Sequence, residues 1–396
     1  MSAWLKPIQS LSQIYGSDVI YSPRASSNAC TWLPHDEFIL DSMTGGQIPV
    51  AGDMPILCAA GVSTPAGLQL LRDAGFDIPQ AVFRYFTATD YLRKLKNLYK
   101  KSKRIALLHV HPVSELPSEA CWVKPEMLSF INNKANFAIL VSQRHLPARR
   151  MLMPSRLLIE TLPHCFPLVA KAATDESSGG GVDVAICRTS RDLKRATVLF
   201  QSCRRVVIEE FLPIKRNLCL NYSATAEGMI NYLGCAEQVS DAQGKYQGNW
   251  IDATTTAPLL AIEIGTRVVA AGFALGYYGC VGIDMAVRED GRIVIFDLNF
   301  RVNGSTAALL LAESVQRTSG RTVLRFRALQ GSGTYRDLLN SAYAAIRKGI
   351  FLPLSSYDPG VGGYPRARPR MTGLILGNTR EEVKEHEREL STMGLS

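Results

Sequence analysis

Apolar and polar positions alternate most cleanly between Cys280 and Arg301, where two apolar runs flank Asp290-Gly291. Asp-Gly between such runs predicts a two-residue hairpin turn, because both turn positions need positive φ. That turn sets Asp284 directly opposite Asp297. The strand period of two then puts Asn299 and Arg301 on the face of Asp297 and sends Val294, Phe296 and Leu298 into a core. Like charges directly opposite on a sheet are destabilising unless something compensates. A divalent cation compensates, and oxygen ligands beside an amide and a guanidinium suit Mg²⁺ and phosphoryl oxygens. Two solvated aspartates in a shifted register are the bland alternative.

Elsewhere the pattern divides the chain. Residues 1–125 alternate short apolar strands (Val19-Ile20, Glu37 to Leu40, Ile56 to Cys58, Ile105 to Val110) with helical stretches such as Thr64 to Ala74. This predicts an α/β unit with a parallel sheet. From about residue 126 the order becomes helix, strand, hairpin, long helix, hairpin. Pro258 to Gly282 contains Glu263 and Arg267, which predicts a buried helix running into a strand rather than a membrane span. Ser240 to Thr256 is polar and glycine-bearing and reads as a mobile loop. Near the end, Met371 to Leu376 reads as a strand, and Asn378 to Glu382 opens a helix with a capping box.

Two further stretches carry chemistry. Leu168 to Ala173 is an apolar strand with a single cation, Lys171, followed by a Ser/Gly loop with Gly179, Gly180 and Gly181 and then a second strand. Small residues let backbone N–H groups approach phosphate oxygens, and a lysine supplies a point charge. The loop is neither a Walker A loop nor a dinucleotide fingerprint, and a plain hairpin tip is its bland reading. Arg205 to Pro213 is an apolar strand ending in Glu209, Glu210, Phe211 and Leu212. Exposed backbone there suits an adenine edge, with one acid taking the exocyclic amine; a solvated strand end is the alternative. Arg216 and Asn217, just beyond, lie in reach of a ribose or phosphates. Tyr21 to Arg24 follows the first strand, where loops of parallel sheets meet ligands or simply turn. His109 and His111 read as a strand-end pair in the wall of the first unit.

Composition narrows the class. With 396 residues, 46% hydrophobic and 20% charged, the chain is long enough for two or three packed domains. Nine cysteines without a Cys-x-x-Cys spacing imply neither a zinc knuckle nor a disulfide framework, and Met1 to Lys6 does not read as a signal peptide. A cytoplasmic location without membrane attachment is the expectation. The formal charge of +9 gathers in clusters such as Arg366 to Arg370, and a basic face suits an acidic carrier or a polyphosphate. No nucleic-acid module accompanies it.

Taken in chain order, these motifs resemble the ATP-grasp superfamily. Asn133-Lys134, Lys171 with Gly179 to Gly181, Glu209 to Leu212, Asp284, and the acid-x-Asn-x-Arg set Asp297, Asn299 and Arg301 carry the resemblance. The second metal acid is often Glu in the family; here both are Asp. The resemblance implies an α/β (α+β ATP-grasp) fold. Its parts would be a pre-domain at 1–125, two ATP-clasping subdomains at 126–212 and 213–330, and a small C-terminal unit at 331–396. It also implies that Lys134, Lys171 and the Gly loop hold phosphates and that Glu209 to Leu212, with Asn217, bind the nucleoside. Asp284, Asp297 and Asn299 would hold Mg²⁺, as one or two ions, with Mn²⁺ as a substitute. Arg301 and Lys171 would stabilise an acyl phosphate formed from a carboxylate and consumed by an amine. A closing loop, either the Gly-rich loop or 240–257, would exclude water. The layout looks most like amino-acid and peptide ligases of specialised metabolism, including the pheganomycin type, working as homodimers. The alternatives are loading of an acyl carrier protein and an inactive nucleotide-binding partner protein.

Overall fold

The computed structural model describes all residues except 1–4, 17, 29–30, 34–35, 102, 158–165, 177, 180 and 242–243, and omits the side chains of 149–151 and 157. The described residues form three sheets. The first is parallel, from β1 (Val19–Ser22), β2 (Ile56–Ala59), β3 (Val82–Tyr85) and β4 (Arg104–Leu107) in the order β3-β2-β1-β4. Val19, Ile20, Ile56 and Leu57 are almost fully buried, as expected where both faces of a parallel sheet are covered. The helix Pro65–Asp73 starts at Thr64, whose hydroxyl accepts from the Gly67 N–H, with Pro65 in the first turn.

One expected strand of this unit is a helix. Glu37–Ser42 is helical, and the reason lies in its acids. Glu37 and Asp41 both pair with the guanidinium of Arg24, which is 1% exposed. Four residues of helix bring two carboxylates within reach of one guanidinium; in a strand they would stand about 13 Å apart. Arg24 therefore belongs to a buried ion cluster. His111 is likewise partnered: its Nδ1 lies 2.8 Å from Glu115 and its Nε2 3.0 Å from the Tyr91 hydroxyl.

The second sheet is antiparallel: β5 (Arg149–Pro154), β6 (Leu168–Ala173), β7 (Val184–Cys187) and β8 (Arg205–Glu210), in the order β5-β8-β6-β7. Its core is its own, built on Leu168, Ala170, Phe200, Val206 and Ile208, with Trp32 of the first unit joined to it.

The third sheet has eight antiparallel strands. They are β9 (Ile214–Ala224), β10 (Ile230–Ser240), β11 (Tyr246–Ile251), β12 (Gly279–Arg288), β13 (Ile293–Asn299), β14 (Val323–Gln330), β15 (Phe351–Tyr357) and β16 (Arg370–Gly377). Their order is β13-β12-β9-β10-β11-β14-β16-β15. The helix Leu259–Ala274 runs on toward β12 as expected but is buried on one face only, against β9 and β10, with Leu259 and Leu260 exposed. One continuous apolar core joins this sheet to the first unit. Among the described residues no helix is long and apolar enough to cross a membrane.

The segment 240–257 is not a free loop, because β11 occupies its middle and pairs with both β10 and β14. Its polarity misleads: Asn249 is 1% exposed, and Gly248 is there to permit close approach. Gly248 has φ +106°, and a Cβ would lie 2.0 Å from the Phe326 carbonyl oxygen. Gly248→Ala is expected to cost about 2–4 kcal/mol from backbone strain and overpacking together, read as a lower urea midpoint. A loss under about 1 kcal/mol would contradict this account of the strand.

Candidate active site

The site forms where β12 and β13 of the third sheet meet the Gly-rich loop of the second. Asp284 and Asp297 are register partners, as the alternation predicts. The route differs from the expected one. Arg288 N–H donates to the Arg292 carbonyl and Gly291 N–H to the Arg288 carbonyl, with Gly291 at φ +79°, so the loop has three residues. This shifts the near-turn pairs, Met285 facing Ile295 and Val287 facing Ile293, and a bulge between there and Asp297 restores the register. As a result Ile293, Ile295 and Leu298 fill the core, while Val294 and Phe296 join Leu212 and Ala286 in a small cluster on the other side. The expectation that Val294, Phe296 and Leu298 point together into one core is therefore corrected.

Asp284 is 7% exposed. Its Oδ1 accepts from Gln238 Nε2 at 2.9 Å, and its Oδ2 lies 3.4 Å from Asn299 Nδ2. Burial first, and then the charge of Asp297, push its carboxyl up to about 6. Lys134 sits across from Asp297, with Nζ 3.2 Å from its Oδ1 and 2.7 Å from Asp183 Oδ2. Burial opposes the lysine's charge, yet the two carboxylates prevail and raise its pKa. Asp183 shows the converse: burial works against its charge, Lys134 outweighs it, and its carboxyl lies below the usual range. Arg301 closes the far side, donating from Nη2 to Asn299 Oδ1 at 2.7 Å and to the Ser178 carbonyl at 3.0 Å. The Gly-rich loop thus rests on Arg301. Gly181, at φ +79°, needs the left-handed region, whereas Gly179 has room for a side chain; Gly180 lies outside the described residues.

A second cluster adjoins the first through Phe296-Asp297. Lys171 Nζ lies 2.7 Å from Glu209 Oε2 and donates to the Phe296 carbonyl at 2.7 Å. Glu209 is 2% exposed. Leu212 lies on the Val294 and Phe296 cluster, and Asn217 pairs in register with Ala286 of that cluster. Glu210 and Phe211 turn elsewhere: Glu210 Oε1 accepts from the Ala148 N–H at 3.3 Å, and Arg188 covers the Phe211 ring at 4.8 Å. Arg216 is committed to the carbonyls of Thr254 and Thr256. Asp183 and Gln238 were not singled out in the sequence, and Phe296 was read there only as a core residue. A lone acid between Val182 and Val184, just past a glycine loop, was a legible sign that a buried cation awaited it.

The donor set fits a hard cation. Asp284, Asp297 and Asn299 offer oxygen ligands to it, and Asp297 Oδ1 has only the ammonium of Lys134, 3.2 Å away, as its ion-pair partner among the described residues. Among the described residues no three His, Cys, Asp or Glu side chains form a metal site by themselves; an ion held here would need the Asn299 amide or oxygens from a ligand as well.

Residues 147–299 match the family model of the L-aspartate–L-methionine ligase ATP-grasp domain, and residues 10–129 match that of the N-terminal domain of the same ligase. Across nearly the whole length, the fold is that of an N5-carboxyaminoimidazole ribonucleotide synthetase solved with ADP (TM-score 0.61, 12% identity, 99% of this chain and 98% of that one). The same holds for the Staphylococcus aureus N5-carboxyaminoimidazole synthetase with ADP (TM-score 0.57, 10% identity, 98% and 99%). An L-amino acid ligase from Bacillus licheniformis also shares it (TM-score 0.53, 12% identity, 98% and 98%). The chain belongs to the ATP-grasp carboxylate–amine ligases, enzymes that use ATP and a divalent metal to form C–N bonds. Within that class, both family models it matches are those of L-aspartate–L-methionine ligase.

Proposed function

We propose that this enzyme joins two amino acids, L-aspartate and L-methionine being the first pair to test, through an acyl phosphate, in specialised metabolism. The observation that supports this most is the pairing of buried Asp284 with the part-exposed Asp297, with Asn299 beside them and Lys134 facing Asp297. In the first step a carboxylate oxygen attacks the γ-phosphorus and the bond to ADP breaks. In the second the amine nitrogen attacks the acyl carbon, the bond to phosphate breaks, and the amine gives up a proton. Mg²⁺, when bound, supplies charge neutralisation for the phosphoryl oxygens. Asp284, Asp297 and Asn299 would hold it. Lys134 and Lys171 place positive charge along the phosphates. Arg301 stabilises charge on the acyl phosphate and the tetrahedral intermediate. Leu212, Val294 and Phe296 offer an apolar surface to the base, and Glu209 an acceptor for its amine. The Gly-rich loop over Arg301 keeps water from the anhydride.

The test is ADP and phosphate release from Mg-ATP with each amino acid alone and in pairs, with hydroxylamine present. The expected result is hydroxamate from the acyl donor alone, and a dipeptide with equal ADP when both partners are supplied. Turnover that ignores the carboxylate, or that yields no hydroxamate from any donor, would overturn the acyl-phosphate reading. Transfer only to a carrier thiol would replace the amide product.

A further inference from the structure

Remote from Asp284 and Asp297, a cavity of about 60 Å³ lies between the first unit and the far end of the third sheet. Its floor is one row of the sheet: Thr372 of β16 pairs with Ala328 of β14 and Ser355 of β15. Ser355 and Thr372 share a hydrogen bond of 2.7 Å between their hydroxyls. Arg370, two residues before Thr372 on the same strand face, lines one wall. The roof is Ser42 and Met43, and the turn that follows them presses on the floor, since a Cβ on Gly45 would lie 3.0 Å from that of Ser355.

The Arg370 guanidinium is half-buried, and among the described residues it has neither a hydrogen bond nor an ion pair. The acids of the covering helix cannot serve it, because Glu37 and Asp41 are both committed to Arg24. Burial lowers its pKa and no carboxylate restores it. A cation removed from water without a counter-charge is costly, and a guanidinium's planar donors match a carboxylate or phosphate. We propose that this cavity is a second anion site, in which Arg370 and the one hydroxyl proton that the Ser355–Thr372 hydrogen bond leaves free take one small oxyanion, a phosphate or a carboxylate. The size agrees: at ~30 Å³ per water, the space holds roughly two waters or one such group. Exposed Arg366 and Arg368, just ahead of Arg370 in the chain, draw anions toward the mouth. Occupancy would tie the Glu37–Ser42 helix to the sheet and so stabilise the whole chain.

The experiment is calorimetric titration and thermal melting of the full chain, with the nucleotide site saturated by Mg²⁺ and a non-hydrolysable ATP analogue. The titrants are inorganic phosphate and acetate, against sodium chloride at equal ionic strength. Expected are one saturable site per chain and a raised Tm. Affinity should fall about 10- to 100-fold in Arg370→Gln, as loss of charge-assisted hydrogen bonds implies, and less in Thr372→Val. Preference between the titrants identifies the ligand as phosphate or carboxylate. No saturable binding beyond chloride would overturn the proposal, as would binding equal to wild type in Arg370→Gln. Should Arg370→Gln not fold, Arg370→Lys, which keeps charge but not the fork, must weaken binding, and equal binding there also overturns the proposal.

Discussion

Asp284→Asn is expected to yield a protein that is both more stable than the wild type and inactive. In the metal-free protein the wild-type carboxyl at 284 is buried, faces Asp297 and is pushed up to about 6. An acid whose folded pKa exceeds its unfolded value binds protons more tightly when folded. Its ionised form therefore costs stability, fully above the folded pKa and not at all below the unfolded one. At pH 7.5 with EDTA, removing that charge should raise stability by about 1–3 kcal/mol, at ~1.36 kcal/mol per unit of pKa. The gap should narrow as the pH falls through 6 and vanish below about 4, where the wild-type group is protonated in both states. Excess Mg-ATP should reverse the order of the melting temperatures, because only the wild type gains binding energy. ADP release should drop by at least about 10³-fold, on the scale of losing a principal electrostatic stabiliser of the transition state. A variant melting below the wild type in EDTA at pH 7.5 would mean that the aspartate pair is not under strain, and the metal assignment would lose its main support.

How far the sequence carried depended on where its pattern had a phase. The Asp284–Asp297 pairing was legible, yet two departures from the simple hairpin cancel to give it: a three-residue loop and a bulge near Phe296. Ile293 to Phe296 is apolar at every position, so alternation could not locate the bulge, and the faces of Val294 and Phe296 were misassigned. The strand of Lys171 was clear as a short apolar run with one charged exception, and that of Glu209 as an apolar run bounded by charges. What stayed hidden were partnerships between distant residues. Lys134 and Asp183 meet across 49 positions, and Arg24 with Glu37 and Asp41 turns an apparent strand into a helix. Buried ion clusters look polar in sequence, and so does β11, whose Asn249 is interior. Polarity marks surface only until the opposite charge or hydrogen-bond partner is known.

Lys134→Met is the substitution expected to cost most in stability. Its ammonium is 6% exposed and lies between Asp183 at 2.7 Å and Asp297 at 3.2 Å. Methionine fills a similar volume but leaves Asp183, itself 3% exposed, as a buried charge with its main partner gone. Breaking a buried pair from one side typically costs about 3–5 kcal/mol, mostly through the charge left behind. Lys134→Met/Asp183→Asn should therefore recover most of the loss, since the orphaned charge is gone and the amide keeps the acid's shape. Nucleotide binding separates this structural role from a functional one. If Lys134 also steadies phosphates, the double variant will fold and still fail to gain a melting shift from Mg-ATP. Normal nucleotide stabilisation in the double variant would confine Lys134 to the core, and a single variant losing under about 1 kcal/mol would contradict the buried pair itself.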